Sequence, residues 1–318
     1  MKAAEIAEKS QNMVDEIERV IVGKRETVSK AVLTMLCNGH LLLEDIPGVG
    51  KTTLAKSMAK AIGGKFGRVQ FTPDLLPSDI TGGSIYNQKE STFEFRPGPI
   101  FGNVVLADEI NRATPKTQSS LLEAMEERQV TSDGETRALP KPFFVIATQN
   151  SIEMTGTYPL PEAQLDRFFA RLSLGYPSKS DEMDILNRQQ VASSLELVNQ
   201  VVTLEMLLLM QSAVRDIFVH ESIREFVVDV VRATRESNQL LMGASPRGSL
   251  LLMRAAQGRA AMAGGDFVKP DDVKAVASSV LAHRVLPRAE SRARGLSTEQ
   301  VIATIVDQVP APAPASVA

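Results

Sequence analysis

Asp45-Ile46-Pro47-Gly48-Val49-Gly50-Lys51-Thr52 lies between an apolar run, His40-Leu41-Leu42-Leu43-Glu44, and a segment from Lys51 to Ile62. In that segment Leu54, Ala55, Met58 and Ile62 recur at helical spacing. Buried strand, glycine turn and helix, in that order, are the setting of a phosphate-binding P-loop that closes on Gly-Lys-Thr. Gly48 and Gly50 let the backbone curl with its N–H groups inward, and the helix N-terminus adds partial positive charge. Lys51 is placed to reach the β- and γ-phosphates of ATP, and Thr52 to offer its hydroxyl to Mg²⁺. Pro47, Val49 and Thr53 complete the segment assigned to the nucleotide. Asp45 departs from the pattern, which has a glycine there; on sequence alone an acid at that position faces the incoming phosphate.

A second motif follows. Val104-Val105-Leu106-Ala107-Asp108-Glu109 is an apolar strand ending in two acids. Downstream of a P-loop, Asp108 suits holding Mg²⁺ and Glu109 suits taking a proton from an attacking water. A third strand, Phe143–Thr148, ends in Gln149-Asn150. By itself Asn150 reads first as an ordinary turn residue, and second as a group that positions water beside Glu109.

Outward from these motifs, residues 3–20 and the stretch carrying Val28, Ala31, Val32, Met35 and Leu36 have helical period, broken at Gly23. Arg68–Thr72 reads as a strand, Ser84–Tyr86 with Phe93–Phe95 as a hairpin, and Gln129–Leu139 as a second hairpin around Asp133-Gly134. Pro115 to about Glu127 reads as a helix with Thr114 as N-cap. Short apolar strands alternating with amphipathic helices predict an α/β fold, an αβα sandwich on a mostly parallel sheet. Beyond Tyr176-Pro177-Ser178 strand signals vanish, and helices are expected over about 181–194, 203–216, 220–236, 245–263, 270–282 and 297–308. The expected division is a nucleotide-binding domain over 1–177, an all-α lid over 178–308 and a disordered Pro/Ala tail over 309–318.

Composition bounds the partners. Of 318 residues, 43% are apolar and 23% charged, so a core of ordinary size is available. A net charge of −3, aromatics at 5% and no tryptophan disfavour a nucleic-acid motor, since neither a basic field nor stacking platforms are evident. Cys37 is the single cysteine, in an apolar helical run that suits a buried, inert thiol. The three histidines are scattered and predict no metal site. Neither a signal-peptide stretch nor an apolar run of about 20 residues is present, so the expected location is the cytoplasm.

The ordered segments DIPGVGKT, FTPDLLPSDITG, FRPGPIF, VVLADEINRATPKTQSSLLEAMEERQV, FFVIATQN, YPLPEAQLDRF and SPRG resemble the MoxR family of AAA+ ATPases, over about residues 10–308. The resemblance implies a ring-forming, usually hexameric ATPase that matures a client protein in a chaperone-like way, often a client with a von Willebrand factor A domain. It implies that Asn150 is the sensor asparagine and Arg167 an arginine finger reaching a neighbouring subunit's nucleotide. Arg247 becomes the lid arginine contacting phosphate in the same subunit, and Ile21-Val22-Gly23 the segment near adenine. Without the resemblance, Arg167 reads as a surface partner of Asp166 or Glu162, and Arg112 and Arg171 as surface arginines or contacts across a subunit joint. The two hairpins either project toward a pore or client or extend the sheet. A nucleic-acid motor and an ATP-gated scaffold without meaningful hydrolysis are the alternative functions.

Overall fold

The computed structural model of the chain describes residues 1–150, 156–189 and 194–312. Residues 190–193, in the helical pattern expected over 181–194, and 313–318, most of the Pro/Ala tail, lie outside the described residues.

Two amphipathic helices open the chain, α1 (Ala3–Glu18) and α2 (Arg25–Leu36). There follow β1 (Leu41–Glu44), α3 (Lys51–Ala61), β2 (Phe66–Gln70) and a short helix α4 (Pro77–Thr81). The hairpin β3 (Gly82–Asn87) and β4 (Thr92–Pro97) leads to β5 (Val104–Asp108) and α5 (Pro115–Glu127). A second hairpin, β6 (Gln129–Ser132) and β7 (Glu135–Ala138), precedes β8 (Phe144–Gln149), α6 (Glu162–Leu165) and β9 (Ala170–Leu172).

Five strands form one parallel sheet in the order β2-β5-β8-β1-β9. Alternate residues sort onto its two faces. Leu42, Val105, Ala107, Val145 and Ala147 pack with Leu121, Leu122 and Met125 of α5. Leu41, Leu43, Val104, Leu106 and Ile146 pack with α1, α2 and α3. Coverage on both faces explains why these strands read as unbroken apolar runs. Thr114 is the positional N-cap of α5 as expected, but its side chain makes no capping bond and meets the Thr117 hydroxyl at 3.3 Å.

Several expectations need correction. The strand placed over Arg68–Thr72 begins earlier, at Phe66, because its register is set by pairing with Val104–Asp108. The strand Ala170–Leu172 was not expected; three residues are too few to show a period. The hairpins do not extend the main sheet: each is a separate two-stranded sheet. They lean on each other, with the Ser84 N–H and hydroxyl donating to Asp133 (3.1 and 2.7 Å) and Arg137 lying 3.8 Å over the Phe95 ring.

The remaining chain is α7 (Lys179–Gln189), α8 (Leu204–Arg215), α9 (Glu221–Glu236), β10 (Leu240–Met242), α10 (Pro246–Met262), α11 (Pro270–Leu281), β11 (Leu286–Pro287), α12 (Ala289–Ala293) and α13 (Thr298–Gln308). The expectation of no strands here fails at one point, the short antiparallel pair of β10 and β11, again too brief to leave a pattern. Buried side chains of α8 to α11 and α13 belong to the same apolar cluster as α1, α2 and α3. At the α2–α10 crossing a Cβ on Gly258 would stand 2.5 Å from the Cys37 sulfur, so the close approach depends on glycine. Burial pushes the Cys37 thiol up to about 12, which makes it inert. Among the described residues no helix is long and apolar enough to cross a membrane.

Two histidines are structural. His40 accepts from the Val145 N–H at Nδ1 (2.9 Å) and therefore donates from Nε2 to the Met125 carbonyl (3.1 Å), tying β8 to α5 as a neutral ring. The His283 Nε2 contacts the Phe168 carbonyl at 3.1 Å. Burial, with a nearby arginine in each case, holds both rings well below their usual 6.5. The unfolded chain therefore binds protons that the folded chain refuses below about pH 6.5, and stability falls as pH falls through that window. Each ring contributes up to about 1.4 kcal/mol per pH unit. Urea midpoints measured from pH 7 to 5.5 should drop steadily, and His40→Gln should flatten the slope; a level profile contradicts this reading of the two rings.

Candidate functional site

The shape of the glycine loop is set by backbone dihedrals. Gly48 has φ +83° and Gly50 φ +96°, the left-handed region that only glycine enters freely. Neither is confined by neighbours closer than van der Waals contact: a Cβ on Gly48 would meet nothing within 4 Å, and one on Gly50 only Ile21 at 3.6 Å. The requirement is therefore conformational, and it hands the chain directly into α3 at Lys51. The Lys51 ammonium donates to the main-chain carbonyls of Asp45 (2.8 Å) and Ile46 (3.2 Å), lying back along its own loop. Burial lowers its pKa below the usual lysine range, opposed by the charges of Asp45, Asp108 and Glu109.

Asp45 does not line the cleft beside this loop. It is buried, and its carboxylate accepts from the Ile46 N–H (3.0 Å), the N–H groups of Leu174 and Gly175 (2.5 and 2.9 Å) and the Ser173 hydroxyl (3.1 Å). The acid binds the loop after β9, which supplies the reason a glycine is dispensable there: the side chain has buried amide donors to satisfy.

The paired acids end β5. The Thr148 hydroxyl on neighbouring β8 donates to Asp108 (2.7 Å) and accepts from the Glu109 N–H (2.8 Å), fixing one acid against the other. Arg68 on β2 donates to the second Asp108 oxygen at 2.9 Å. Glu109 sits at φ +57°, ψ +49°, a left-handed conformation costing a non-glycine residue roughly 1–2 kcal/mol. One of its carboxylate oxygens accepts from Gln70 and from Arg112, each at 3.1 Å. Arg112, read as a contact across a subunit joint or a surface residue, thus belongs to its own chain's acid pair.

Pro47, Gly48, Gly50, Lys51, Thr52, Thr53, Asp108, Glu109 and Asn150 line one cleft of about 320 Å³ at the C-terminal ends of the parallel strands. Ligands bind at that edge in open parallel sheets. Asn150 is buried at its wall. A second recess of about 220 Å³ adjoins it, lined by Ile21, Val22, Val49 and Ile185 and sharing Gly48, Gly50 and Thr53 with the cleft. Its apolar lining suits a flat base. Gly23 does not line the recess; with φ +72° it turns the chain, and a Cβ there would stand 2.3 Å from the Asp181 carboxylate. Thr52 and Asp108 border one space, and among the described residues no three His, Cys, Asp or Glu side chains form a metal cage. A hydroxyl and a carboxylate suit Mg²⁺, which is held by one or two carboxylates together with phosphate oxygens and water.

The two arginines lie elsewhere. Arg167 pairs through Nε with Glu126 (3.2 Å), and Arg247 pairs with the other oxygen of the same carboxylate (3.1 Å). With Arg128 and Arg254 they line a depression of about 240 Å³ that shares no residue with the cleft beside Lys51 and Asp108. Arg167 precedes β9 and Asp45 follows β1, and these strands are parallel neighbours. The depression is therefore at the N-terminal edge of the sheet, a strand length of about 13 Å from the cleft. Arg247, expected beside Lys51 and Thr52 of its own chain, lines this depression and not their cleft, because its helix α10 carries it to the opposite edge. Arg167 takes neither Asp166 nor Glu162 as its ion-pair partner. Arg171 does not face outward either; it bridges Glu44 (3.0 Å) and Glu299 (2.5 Å), joining the sheet to α13.

Sequence reasoning missed Thr148, Gln70 and Arg68, which hold the acids, and Glu126, which joins the arginines. Only Thr148 left a local signal, a hydroxyl among the apolar residues of a strand next to Asn150.

A protein-family profile described as the ATPase family associated with various cellular activities (AAA) matches residues 40–170, and an AAA lid domain matches 232–305. The chain is 50% identical to protein YeaC of Bacillus subtilis, over 94% of this chain and 93% of that one. It is 43% identical to Chaperone MoxR1 of Mycobacterium tuberculosis, over 95% and 82%, and 31% identical to Protein MoxR of Paracoccus denitrificans, over 92% and 94%. A crystal structure of a candidate ATPase from Cytophaga hutchinsonii superposes with a TM-score of 0.91 at 38% identity, covering 98% of this chain and 97% of that chain.

Proposed function

We propose that this chain, which belongs to the MoxR family of AAA+ ATPases, hydrolyses Mg·ATP at sites shared between neighbouring copies and uses the cycle to remodel a client protein. The observation that carries the shared site is the separation just described: one edge of the sheet holds the phosphate grip and the acids, the other presents Arg167 and Arg247 together. A single chain cannot bring both to one nucleotide, whereas copies packed edge to edge around a closed ring can. The ring is hexameric by resemblance to the family.

In this reading the P-loop amides and Lys51 grip the phosphate chain, Ile21 and Val22 seat the base, and Thr52 and Asp108 hold Mg²⁺. Bound Mg²⁺ supplies charge neutralisation on the phosphates. Glu109 takes the proton of the attacking water, and Asn150 orients that water. Arg167 and Arg247 of the neighbouring copy meet the charge that develops on the transferred phosphoryl group, where planar, permanently charged forks are most effective. The relative from Mycobacterium tuberculosis is named a chaperone, and a chaperone-like role on a client, with a von Willebrand factor A domain by family resemblance, is our extension to this chain. The exposed Ile85, Tyr86 and Phe93 of the β3–β4 hairpin are the apolar surface offered to that client.

Lys51→Ala tests the phosphate grip. Losing a charged partner of a buried anion costs about 2–5 kcal/mol, so affinity for a fluorescent Mg·ATP analogue should fall at least about 30-fold. Undiminished binding contradicts the assignment.

A further inference from the structure

Arg284 ends the turn after α11, within the lid, yet its side chain is buried against the segment that carries Arg167. Its guanidinium donates to the main-chain carbonyls of Asp166 (3.1 Å), Phe168 and Phe169 (3.3 Å), gripping the peptide on both sides of Arg167. At its own end it donates to the Val280 carbonyl of α11. Its Nε stands 2.8 Å from the Asp166 carboxylate, an ion contact rather than an aligned hydrogen bond. The other Asp166 oxygen lies 3.4 Å from the Ser245 hydroxyl and 4.0 Å from Arg247, both at the start of α10. A Cβ on Gly248 would stand 3.3 Å from Leu281, so α10 and α11 meet closely beside these contacts. Burial lowers the Arg284 pKa only to about 10, with Asp166 opposing, so the group is a cation at neutral pH.

A buried guanidinium is expensive to desolvate, and five donors in a rigid fork are needed to span several carbonyls at once. The helices α8 to α11 and α13 already share an apolar cluster with α1, α2 and α3, so holding the lid on the core does not by itself call for a buried guanidinium. We propose that Arg284 is a positioning residue that fastens the Arg167 segment to the lid, so that Arg167 and Arg247 are presented to a neighbour's nucleotide as one rigid pair. The inference rests on the shared-site reading. Movement of α10 and α11 is then transmitted to Arg167 through Arg284 and Asp166, with no contact between Arg284 and nucleotide.

Arg284→Lys keeps the charge and loses the fork. Its folded protein should bind the fluorescent Mg·ATP analogue as the unsubstituted chain does, with kcat at least tenfold lower. Assembled together with Lys51→Ala chains, whose own P-loop is disabled but whose Arg167 segment is intact, the Arg284→Lys chains should regain turnover. Arg167→Ala with Lys51→Ala is the parallel control. Rescue of Arg167→Ala without rescue of Arg284→Lys overturns this inference alone, and failure of both overturns the shared site itself. Unchanged kcat in Arg284→Lys, with or without a lower melting temperature, leaves Arg284 as a mere structural tie and also overturns the inference. Should Arg284→Lys not fold, Asp166→Asn, which spares the carbonyl contacts, decides by the same mixing assay, and wild-type kcat in that variant counts against us.

Discussion

Replacing Arg167 by alanine is expected to leave Mg·ATP binding intact while slowing turnover by about 10³–10⁵-fold, the range associated with an arginine supplied in trans. The side chain sits at the N-terminal edge of the sheet and is not among the residues that line its own chain's candidate cleft. Binding should therefore be indifferent to it. Its ion pair with Glu126 is half exposed at 3.2 Å and contributes under about 1 kcal/mol, so a large rate loss cannot be assigned to unfolding. Nucleotide titration and phosphate release at saturating ATP check the two halves of this expectation. Wild-type turnover in the variant removes Arg167 from the reaction.

Glu109→Gln is expected to give the second large effect, a fall of about 10²–10⁴-fold in turnover with ATP still bound. The amide is isosteric, so the αL turn and the Gln70 hydrogen bond can persist, and what disappears is the oxygen able to take a proton from water. A chain arrested in this way should stay assembled on ATP and hold its client, which makes co-purification with the variant the route to that partner. Release of phosphate at the normal rate excludes Glu109 as the base.

Local chemistry made most of the candidate cleft legible from sequence. Gly48 and Gly50 are needed for their own dihedrals, Lys51 and Thr52 follow directly, and Asp108 and Glu109 announce themselves as acids at the end of an apolar strand. What the sequence hid depends on contacts between distant residues. Asp45 looks like an acid aimed at phosphate because the amides it satisfies, at Leu174 and Gly175, lie far along the chain. Arg247 reads as a ligand of its own phosphate site because nothing local shows that the lid brings it to Glu126 beside Arg167. Arg171 looks free until Glu44 and Glu299 close on it. The missed strands at Ala170–Leu172 and Leu240–Met242 are short segments fixed by their partners rather than by any alternation of their own. Strand propensity likewise located both hairpins but could not tell that neither joins the main sheet.

The shared site is tested most directly by the rate of phosphate release per chain, measured at saturating Mg·ATP across protein concentrations that run from monomer to full assembly. The expected result is a rate that is negligible for the isolated chain, climbs as copies associate and levels off when every cleft has a neighbour's Arg167. A finite rate that stays flat down to concentrations where the chain is monomeric by mass would contradict it.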